Sequence, residues 1–178
     1  MEVGVDYIGV GTTCITLDEL NRVILLRRSE ACRDEQGKWE CAGGAMDFGE
    51  KSLEGSIARE IKEELGAPVF ELKRLKLFSN IRETEKGPTH WVTQLFAGKV
   101  FSWQAFIAEP EKANGLAFVP LTSFVHLALG GKTIYGIERE NLSSLLKVYM
   151  SDYEVLQKLG VGNMFYEIKR SAASPGYK

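Results

Sequence analysis

A chain of 178 residues is long enough for one globular domain, with or without a C-terminal extension. Hydrophobic residues make up 44% of the sequence and charged residues 26%, so an ordinary core can form without disulfides or a structural metal. The formal net charge is -2, from 22 basic and 24 acidic residues, and gives no reason to expect the basic face that nucleic-acid polymers require.

The cysteine pattern and the lengths of the apolar runs indicate in which cellular compartment the protein is expected. Cys14, Cys32 and Cys41 are an odd number without CxxC spacing, which supports neither a disulfide framework nor a zinc site. Free thiols fit a reducing cytosol. No apolar run approaches the roughly 18–20 residues that would span a membrane, and the first residues lack the features of a signal peptide. We therefore expect a cytoplasmic protein with no membrane partner.

The first part of the chain alternates between strand and turn signals. Its β-branched residues predict a strand over residues 7–17, and RVILLRR predicts a second over residues 22–28, which together form a hairpin. Residues 39–41 predict a third strand that ends in a glycine turn at Gly43 and Gly44.

A helix follows this turn. Ser52 is a suitable N-cap, and Gly66 ends the helix in the usual C-terminal manner. Between them, one apolar residue in every four defines a single stripe, made of Leu53, Ile57, Ile61 and Leu65.

The second part of the chain predicts more strands and then helices. Strands are expected at residues 70–79 and 91–101, joined by a polar loop at 83–88, and a short strand at 116–119 follows the charged loop 109–114. A short helix is expected at 121–129, and C-terminal helices are expected at 138–150 and 152–159, before a loose tail from residue 171. The order indicates an α+β domain or sandwich.

Three glutamates on the first helix carry the most informative chemistry. Glu60, Glu63 and Glu64 stand at i, i+3 and i+4, so their carboxylates project from one face, which we place away from the apolar stripe. Mg²⁺ prefers carboxylate oxygens, water and phosphates, and it would remove the repulsion among these charges. Arg59 can hold Glu63 from four positions away. Acidic patches also occur on ordinary solvated helices, so the three glutamates alone do not identify a site.

The surrounding stretch, GGAMDFGEKSLEGSIAREIKEELGA, resembles the Nudix box, Gly-x5-Glu-x7-Arg-Glu-U-x-Glu-Glu-x-Gly-U, where U is apolar. Gly44 and Glu50 match its first part. The second part is matched by Arg59, Glu60, Ile61, Glu63, Glu64 and Gly66, and Ala67 is a weak final apolar position.

One departure from the box lies before the helix. Eight residues separate Glu50 from Arg59, where the family pattern has seven. The extra residue is placed near Lys51, in the loop before Ser52, so the helical register of the acidic residues is unchanged. The approach of Glu50 to the site could shift.

Beyond the box, the resemblance covers residues 7–124. The segments THWVTQLFAGKV and EPEK are similar to the corresponding region of Nudix nucleoside triphosphate diphosphatases. In such enzymes a loop glutamate near the second segment often completes the metal site or activates the water. Glu111 is the first candidate for this role and Glu109 is the second, against the alternative of a solvated charged loop.

The resemblance implies a Nudix-type α/β/α sandwich with a mixed β-sheet and additional C-terminal helices. We expect a single domain, with a Nudix core at about 1–130 and a helical extension at about 131–178. The implied activity is hydrolysis of a pyrophosphate bond in a nucleoside diphosphate derivative, with Mg²⁺, or Mn²⁺ in its place, as cofactor. The implied metal ligands are the Gly43 carbonyl, Glu60, Glu63 and Glu64, and the implied catalytic set is Arg59, Glu63, Glu64 and Glu111.

Five residues outside the box are candidates for substrate binding. Arg28 ends the second strand and is well placed to contact a phosphate, or is an ordinary surface arginine. Trp39, Trp91 and Phe118 could stack on a base, although each also suits the core. His90 could supply a polar contact.

Three functions remain open. The leading one is conversion of a nucleoside triphosphate to a monophosphate and pyrophosphate. The second is hydrolysis of ADP-ribose or a nucleotide sugar at the same metal site. The third is a Nudix-fold nucleotide-binding or regulatory module without turnover. A small nucleotide is the expected partner in each case, and the apolar stripe from Leu142 to Tyr149 packs on its own domain or forms a homodimer contact.

Overall fold

The computed structural model describes residues 1–84, 87–131, 133 and 136–173. In the first half the elements are β1 (Gly9–Leu17), β2 (Arg22–Arg28), β3 (Trp39–Glu40), β4 (Gly43–Ala45), α1 (Leu53–Leu65), β5 (Phe70–Thr84) and β6 (Gly87–Lys99). In the second half they are β7 (Ala113–Pro120), α2 (Leu121–Ala128), α3 (Ser144–Ser151), α4 (Tyr153–Lys158) and α5 (Gly162–Ala173), with 3-10 turns at Ser102–Gln104 and Arg139–Asn141.

The strands form one mixed sheet with β1 near its centre. The main path runs β3-β2-β1-β6-β5, and β1 is parallel to β6 along its whole length. On its other edge, β1 pairs with β4 near its start and with β2 at its end, where Leu17 faces Val23. Strand β7 pairs with the free edge of β2. Helix α1 contacts these two neighbouring strands, β1 and β4.

The two faces of the sheet bury separate apolar clusters. Ile15 and Leu95 belong to one cluster, which contains residues of α2, α3 and α4. Their chain neighbours Cys14 and Phe96 belong to the other cluster, which contains the apolar stripe of α1. Successive strand residues point to opposite faces, so strands covered on both sides are apolar throughout. The predicted α/β/α sandwich with a mixed sheet is confirmed.

The C-terminal helices share the core of the sheet. Leu142, Leu146 and Tyr149 are buried in the same cluster as Ile15 of β1. The stripe therefore packs on its own domain. Helix α5 was not expected, and residues 174–178 of the predicted loose tail lie outside the described part of the chain.

Two predicted elements need correction. Gly43 and Gly44 lie in strand β4, paired with Thr13 and Thr12, and do not form a turn. The strands approach so closely that a Cβ on Gly43 would lie 2.4 Å from the Thr12 carbonyl oxygen. Strand β5 is longer than predicted because it pairs with β6 up to Thr84 and Gly87, which leaves a shorter loop than residues 83–88. Residues 85 and 86 of that loop lie outside the description.

The sequence predicts that no apolar segment is long enough to span a membrane. Across the described residues, no helix combines the length and the apolar character needed to cross a bilayer.

Candidate active site

Helix α1 is held in register by local signals at both ends. The Ser52 hydroxyl accepts the Gly55 backbone N–H at 3.0 Å. At the other end, Gly66 adopts a left-handed conformation with φ of 67°, and its N–H donates to the Lys62 carbonyl. Glycine adopts this conformation at little cost. Because these caps bound the helix, the extra residue of the box lies in the preceding loop.

The three glutamates differ in exposure. Glu60 is only 7% exposed, Glu64 is half-buried, and the Glu63 side chain is 44% exposed. The expected separation of the acidic face from the apolar stripe is therefore wrong for Glu60. Glu60 follows Ile57 by three positions, so the two share one helix face.

Arg59 links four parts of the box. Its Nη1 lies 2.8 Å from both Glu60 Oε1 and Glu63 Oε2, and its Nη2 donates to the Ala45 carbonyl at 3.1 Å. Its Nε donates to Glu50 Oε1 at 2.9 Å, and this hydrogen bond lowers the pKa of Glu50 to about 2. The additional residue in the loop between Glu50 and the helix therefore does not prevent Glu50 from contacting Arg59.

Strand β4 brings the backbone against the acids. The Gly43 N–H donates to Glu64 Oε2 at 3.0 Å. A Cβ on Gly44 would lie 2.6 Å from both carboxylate oxygens of Glu60, so a larger residue would displace that carboxylate. The glycines of the box are needed here for close approach.

A cleft of about 410 Å³ opens beside β4. Its acidic lining is Glu40, Glu60, Glu64 and Glu109, and its basic lining is Arg28, Arg33 and Lys112. The Lys112 ammonium lies 2.8 Å from Glu109 Oε2. The structure thus brings together, in one cleft, acids from α1, β3 and the loop before β7.

Three acids of the cleft have raised pKa values. Burial raises the pKa of Glu64 to about 8, with the charge of nearby Glu40 adding to the effect. Burial also raises the pKa of Glu60 and of Glu40 above their ordinary values. Desolvation and like charges both disfavour the ionised carboxylate, and clustered perturbed acids are typical of functional sites.

The two loop glutamates are separated by the structure. Glu109 lines the cleft, whereas the Glu111 side chain is exposed and does not. The Glu111 backbone carbonyl instead accepts a hydrogen bond from the Ser29 hydroxyl. The sequence analysis ranked Glu111 before Glu109, whereas in the structure it is Glu109 that lines the cleft.

Glu40 is a cleft residue that the sequence reasoning missed. It ends the short strand β3 and accepts a hydrogen bond from Arg28 Nη1 at 2.6 Å. In the sequence, Glu40 is a single acidic residue shortly before Gly43 and Gly44. Such a residue is too common to identify a functional site by itself. Arg28 also contacts Asp34 Oδ1 at 2.9 Å, so its guanidinium lies in the cleft among carboxylates.

The aromatic candidates lie in different places. Trp91 lines a second pocket next to the cleft. Trp39 packs against the cluster beneath α3, and the Phe118 ring lies 5.0 Å from the Arg22 guanidinium carbon. His90 Nε2 is 2.8 Å from the Ser79 hydroxyl. None of the last three lines the cleft or the second pocket.

The second pocket has a volume of about 200 Å³ and lies between the sheet and α3. It shares Arg28, Glu40, Gly43 and Gly44 with the acidic cleft. The two cavities therefore adjoin, and the second pocket is lined by charged side chains of both signs together with the aromatic rings of Trp91 and Tyr149.

Comparison with known proteins agrees with this geometry. Residues 8–135 match the NUDIX domain family model. The chain belongs to the Nudix family. The predicted family and enzyme class, a Nudix pyrophosphohydrolase, are thereby confirmed.

Solved structures of similar fold include further Nudix proteins. A MutT Nudix hydrolase from Burkholderia pseudomallei is 27% identical, with 64% of this chain and 83% of that chain covered and a TM-score of 0.55. A MutT protein from Methanosarcina mazei Go1 is 19% identical, with 88% and 95% covered and a TM-score of 0.62. The NUDIX domain of Shewanella oneidensis NrtR, complexed with ADP ribose, is 18% identical, with 67% and 77% covered and a TM-score of 0.54.

Nudix hydrolases generally use divalent metals, and the donor set of this cleft suits one. As the described side chains stand, no three His, Cys, Asp or Glu residues are arranged to hold a metal ion. Arg59 and Lys112 instead contact Glu60 and Glu109. The carboxylates that line this cleft are nevertheless the oxygen donors that Mg²⁺ prefers, so the residues fit such an ion.

Proposed function

We propose that this Nudix protein hydrolyses a nucleoside triphosphate to a nucleoside monophosphate and pyrophosphate, with Mg²⁺ or Mn²⁺ as cofactor. The observation that carries the proposal is the meeting of Glu60, Glu64 and Glu109 in one cleft, with Arg28 and Lys112 beside them. Carboxylates to hold a divalent ion and cations to bind phosphate oxygens are the two requirements of this reaction.

Glu60, Glu64 and the Gly43 carbonyl are the residues that would hold the metal, with Glu109 in the role first given to Glu111. When bound, a divalent ion neutralises phosphate charge and lowers the pKa of a coordinated water. Glu63 is the weaker candidate for a metal ligand because its side chain is exposed and paired with Arg59.

Proton transfer would fall to a cleft carboxylate. Water attacks a phosphorus of the pyrophosphate linkage, the bridging P–O bond breaks to release the leaving phosphate group, and Glu64 or Glu63 accepts the proton that the water loses. Either role requires an ionised carboxylate with an oxygen that the metal does not occupy. Arg59 orients Glu60 and Glu63 from a distance of 2.8 Å in each case, which keeps the carboxylates in position.

Arg28 and Lys112 would contact the phosphates. Both side chains line the cleft and are paired with carboxylates in the substrate-free protein, Arg28 with Glu40 and Lys112 with Glu109. A polyphosphate offers these cations stronger, partly bidentate partners. Substrate binding would therefore exchange carboxylate contacts for phosphate contacts.

A second substrate class has its own supporting observation. A groove of about 770 Å³ adjoins the pocket and shares Arg33, Asp34, Glu35 and Arg82 with it. This groove leaves room for the second sugar of ADP-ribose or of a nucleotide sugar. A non-catalytic module is less favoured because Arg59 keeps its contacts to Glu50 and Glu63 despite the longer loop.

The test is release of phosphate or pyrophosphate with Mg²⁺, with and without EDTA. The substrates are nucleoside triphosphates, oxidised triphosphates, ADP-ribose and nucleotide sugars. We expect EDTA-sensitive formation of monophosphate and pyrophosphate from a triphosphate. Cleavage of ADP-ribose or a nucleotide sugar alone would select the second class. Absence of turnover by folded protein, with nucleotides still raising the Tm, would support the binding module.

A further inference from the structure

One cation of the cleft lies among acids from two different elements. The Lys112 ammonium is 2.8 Å from Glu109 Oε2, and this carboxylate oxygen is buried. Burial raises the pKa of Glu60 and of Glu64 on helix α1, and the positive charge of Lys112 is among the effects that oppose this rise. Lys112 therefore offsets part of the negative charge of three carboxylates that the proposed function assigns to the metal.

Glu64 depends on this cation more than Glu60 does. Arg59 lies 2.8 Å from Glu60 and supplies that carboxylate with a positive charge of its own. Glu64 accepts the Gly43 N–H at 3.0 Å, and it forms no ion pair within the part of the chain that the structure describes. Carboxylates gathered in a partly buried cleft repel one another unless a cation is near. In the metal-free cleft, Lys112 is a cation close enough to act on Glu64.

The backbone of Lys112 is fixed, whereas its side chain reaches into solvent. The Lys112 carbonyl accepts the Ser29 N–H at 2.8 Å and the Cys32 thiol at 3.1 Å. The Lys112 N–H donates to the Glu109 carbonyl at 3.0 Å. The side chain is 54% exposed, and a lysine carries its charge on a flexible four-carbon stem. Lys112 is therefore able to exchange one anionic partner for another without a movement of the backbone.

We propose that Lys112 is an internal counter-ion of the acidic cleft, which neutralises Glu109 in the metal-free protein and moves to a phosphate group when a divalent ion binds the carboxylates. The proposal rests on the proposed function, because it concerns the metal and the phosphates of the same site. Two cations on one carboxylate repel each other, so a divalent ion held by Glu60, Glu64 and Glu109 displaces the ammonium. Phosphate oxygens are then strong partners for the released ammonium, and metal binding and phosphate binding are coupled through one side chain.

Removal of the charge tests the first half of the proposal. Lys112→Met keeps an unbranched side chain without the ammonium. Calorimetric titration of the full chain with Mn²⁺ alone should show that Lys112→Met binds the ion about three- to tenfold more tightly, because the ion no longer displaces a cation. Lys73→Met is the matched control, since Lys73 is exposed on β5 and lines neither the cleft nor the second pocket. Equal or weaker binding of Mn²⁺ by Lys112→Met would overturn the proposal.

Thermal unfolding separates a counter-ion from an ordinary surface ion pair. In EDTA, Lys112→Met should unfold about 2–4 °C below the wild type, because the acids have lost a cation. Saturating Mn²⁺ should remove this difference, since the bound ion then supplies the charge. A difference that persists with Mn²⁺ would show a purely structural role and would contradict the proposal, as would equal Tm values in EDTA.

The displacement of the ammonium can be followed by chemical labelling. Reductive methylation with formaldehyde, read by mass spectrometry, reports how readily each lysine amine reacts. Saturating Mg²⁺ should accelerate the labelling of Lys112 by about threefold or more, because the ion takes its anionic partner and lowers its pKa. Lys73 serves as the internal reference and should react at the same rate with and without Mg²⁺. An unchanged rate at Lys112 would rule out displacement.

Inorganic pyrophosphate tests the second half of the proposal. In the presence of Mg²⁺, it should bind Lys112→Met about tenfold more weakly than the wild type, whereas Mn²⁺ alone binds this variant more tightly. A residue that served only the metal or only the phosphate would not give these opposite changes. Unchanged affinity for pyrophosphate would overturn the transfer of Lys112 to phosphate.

Turnover separates this proposal from the proposed function. Tighter Mn²⁺ binding by Lys112→Met, without hydrolysis of any triphosphate by the wild type, would retain the counter-ion and reject the triphosphatase. Triphosphate hydrolysis by the wild type, with equal Mn²⁺ affinities in the two proteins, would retain the triphosphatase and reject the counter-ion.

Discussion

The two ends of the site are built from the chain in different ways. At the acidic end, Glu60 and Glu64 lie on one helix and meet the glycines of the adjacent strand β4. At the other end, Asn80 from β5 meets Tyr149 from α3, which are distant in sequence. Functional residues that are close in sequence form a motif that can be recognised. Residues that are distant in sequence and meet only in the folded protein form no such motif.

The two ends also differ in charge and thus in the task that each can perform. The acidic end balances its carboxylates against Arg59, Arg28 and Lys112. The pocket is lined by three acidic and three basic side chains and by the aromatic rings of Trp91 and Tyr149. The two cavities share Arg28 and Glu40, but Glu64 lines only the cleft and Tyr149 lines only the pocket, so we expect substitutions at Glu64 and Tyr149 to have different effects.

The largest effect is expected at the acidic end, from Glu64→Gln. Loss of this carboxylate should lower kcat by at least about a hundredfold, more than the ten- to hundredfold typical of residues that only support ligands. Steady-state kinetics with Mg²⁺ check this, with Glu140→Gln, an exposed residue, as the matched control. Near-wild-type turnover would remove Glu64 from the site.

A packing change in α3 tests the other end. Leu146 is 2% exposed and packs in the cluster of the sheet, so Leu146→Ala should lower the free energy of unfolding by about 2–5 kcal/mol. Val148→Ala, at a position 45% exposed, should change it by less than about 0.5 kcal/mol. Urea unfolding measures both. Equal effects would mean that α3 is not part of the common core.

Arg59→Lys tests the positioning of the acids. A lysine has one point of charge and does not bridge Glu50, Glu60 and Glu63 together, so kcat/KM should fall by about ten- to hundredfold. Arg74→Lys is the control, because Arg74 pairs with Glu54 on the exposed side of the helix and touches neither cavity. A similar loss in both variants would point to a general effect on α1.

The most gradual effect is expected on the stability of the metal-free protein as the pH changes. The pKa of Glu64 is raised from 4.5 to about 8, so between these values the folded chain binds a proton that the unfolded chain releases. Stability should therefore fall as pH rises through this window, by up to about 1.4 kcal/mol per unit, and level off above it. Thermal unfolding of wild type and Glu64→Gln in EDTA measures the contribution. If the stability of the two proteins changed with pH in the same way, the raised pKa of Glu64 would be contradicted.

Some of these elements could be predicted from the sequence and some could not. The bounds of β2 and the caps of α1 were predicted correctly, because strand propensity and capping depend on neighbours in the chain. The predicted turn at Gly43 and Gly44 was wrong, because the pairing of β4 with β1 is a long-range contact. The burial of Glu60 was missed for a related reason, since it depends on how closely β4 approaches the helix.

The sequence by itself indicated the Nudix family through its resemblance to the Nudix box, and local patterns determined the bounds of β2 and the acidic residues of helix α1. Only the tertiary structure decided that Glu109 and not Glu111 lines the cleft, and that Trp91 and not Trp39 lines the second pocket. It also placed Tyr149 of the C-terminal extension at the site. These outcomes depend on which strand edges and helix faces meet across the core, and local propensity does not specify those contacts.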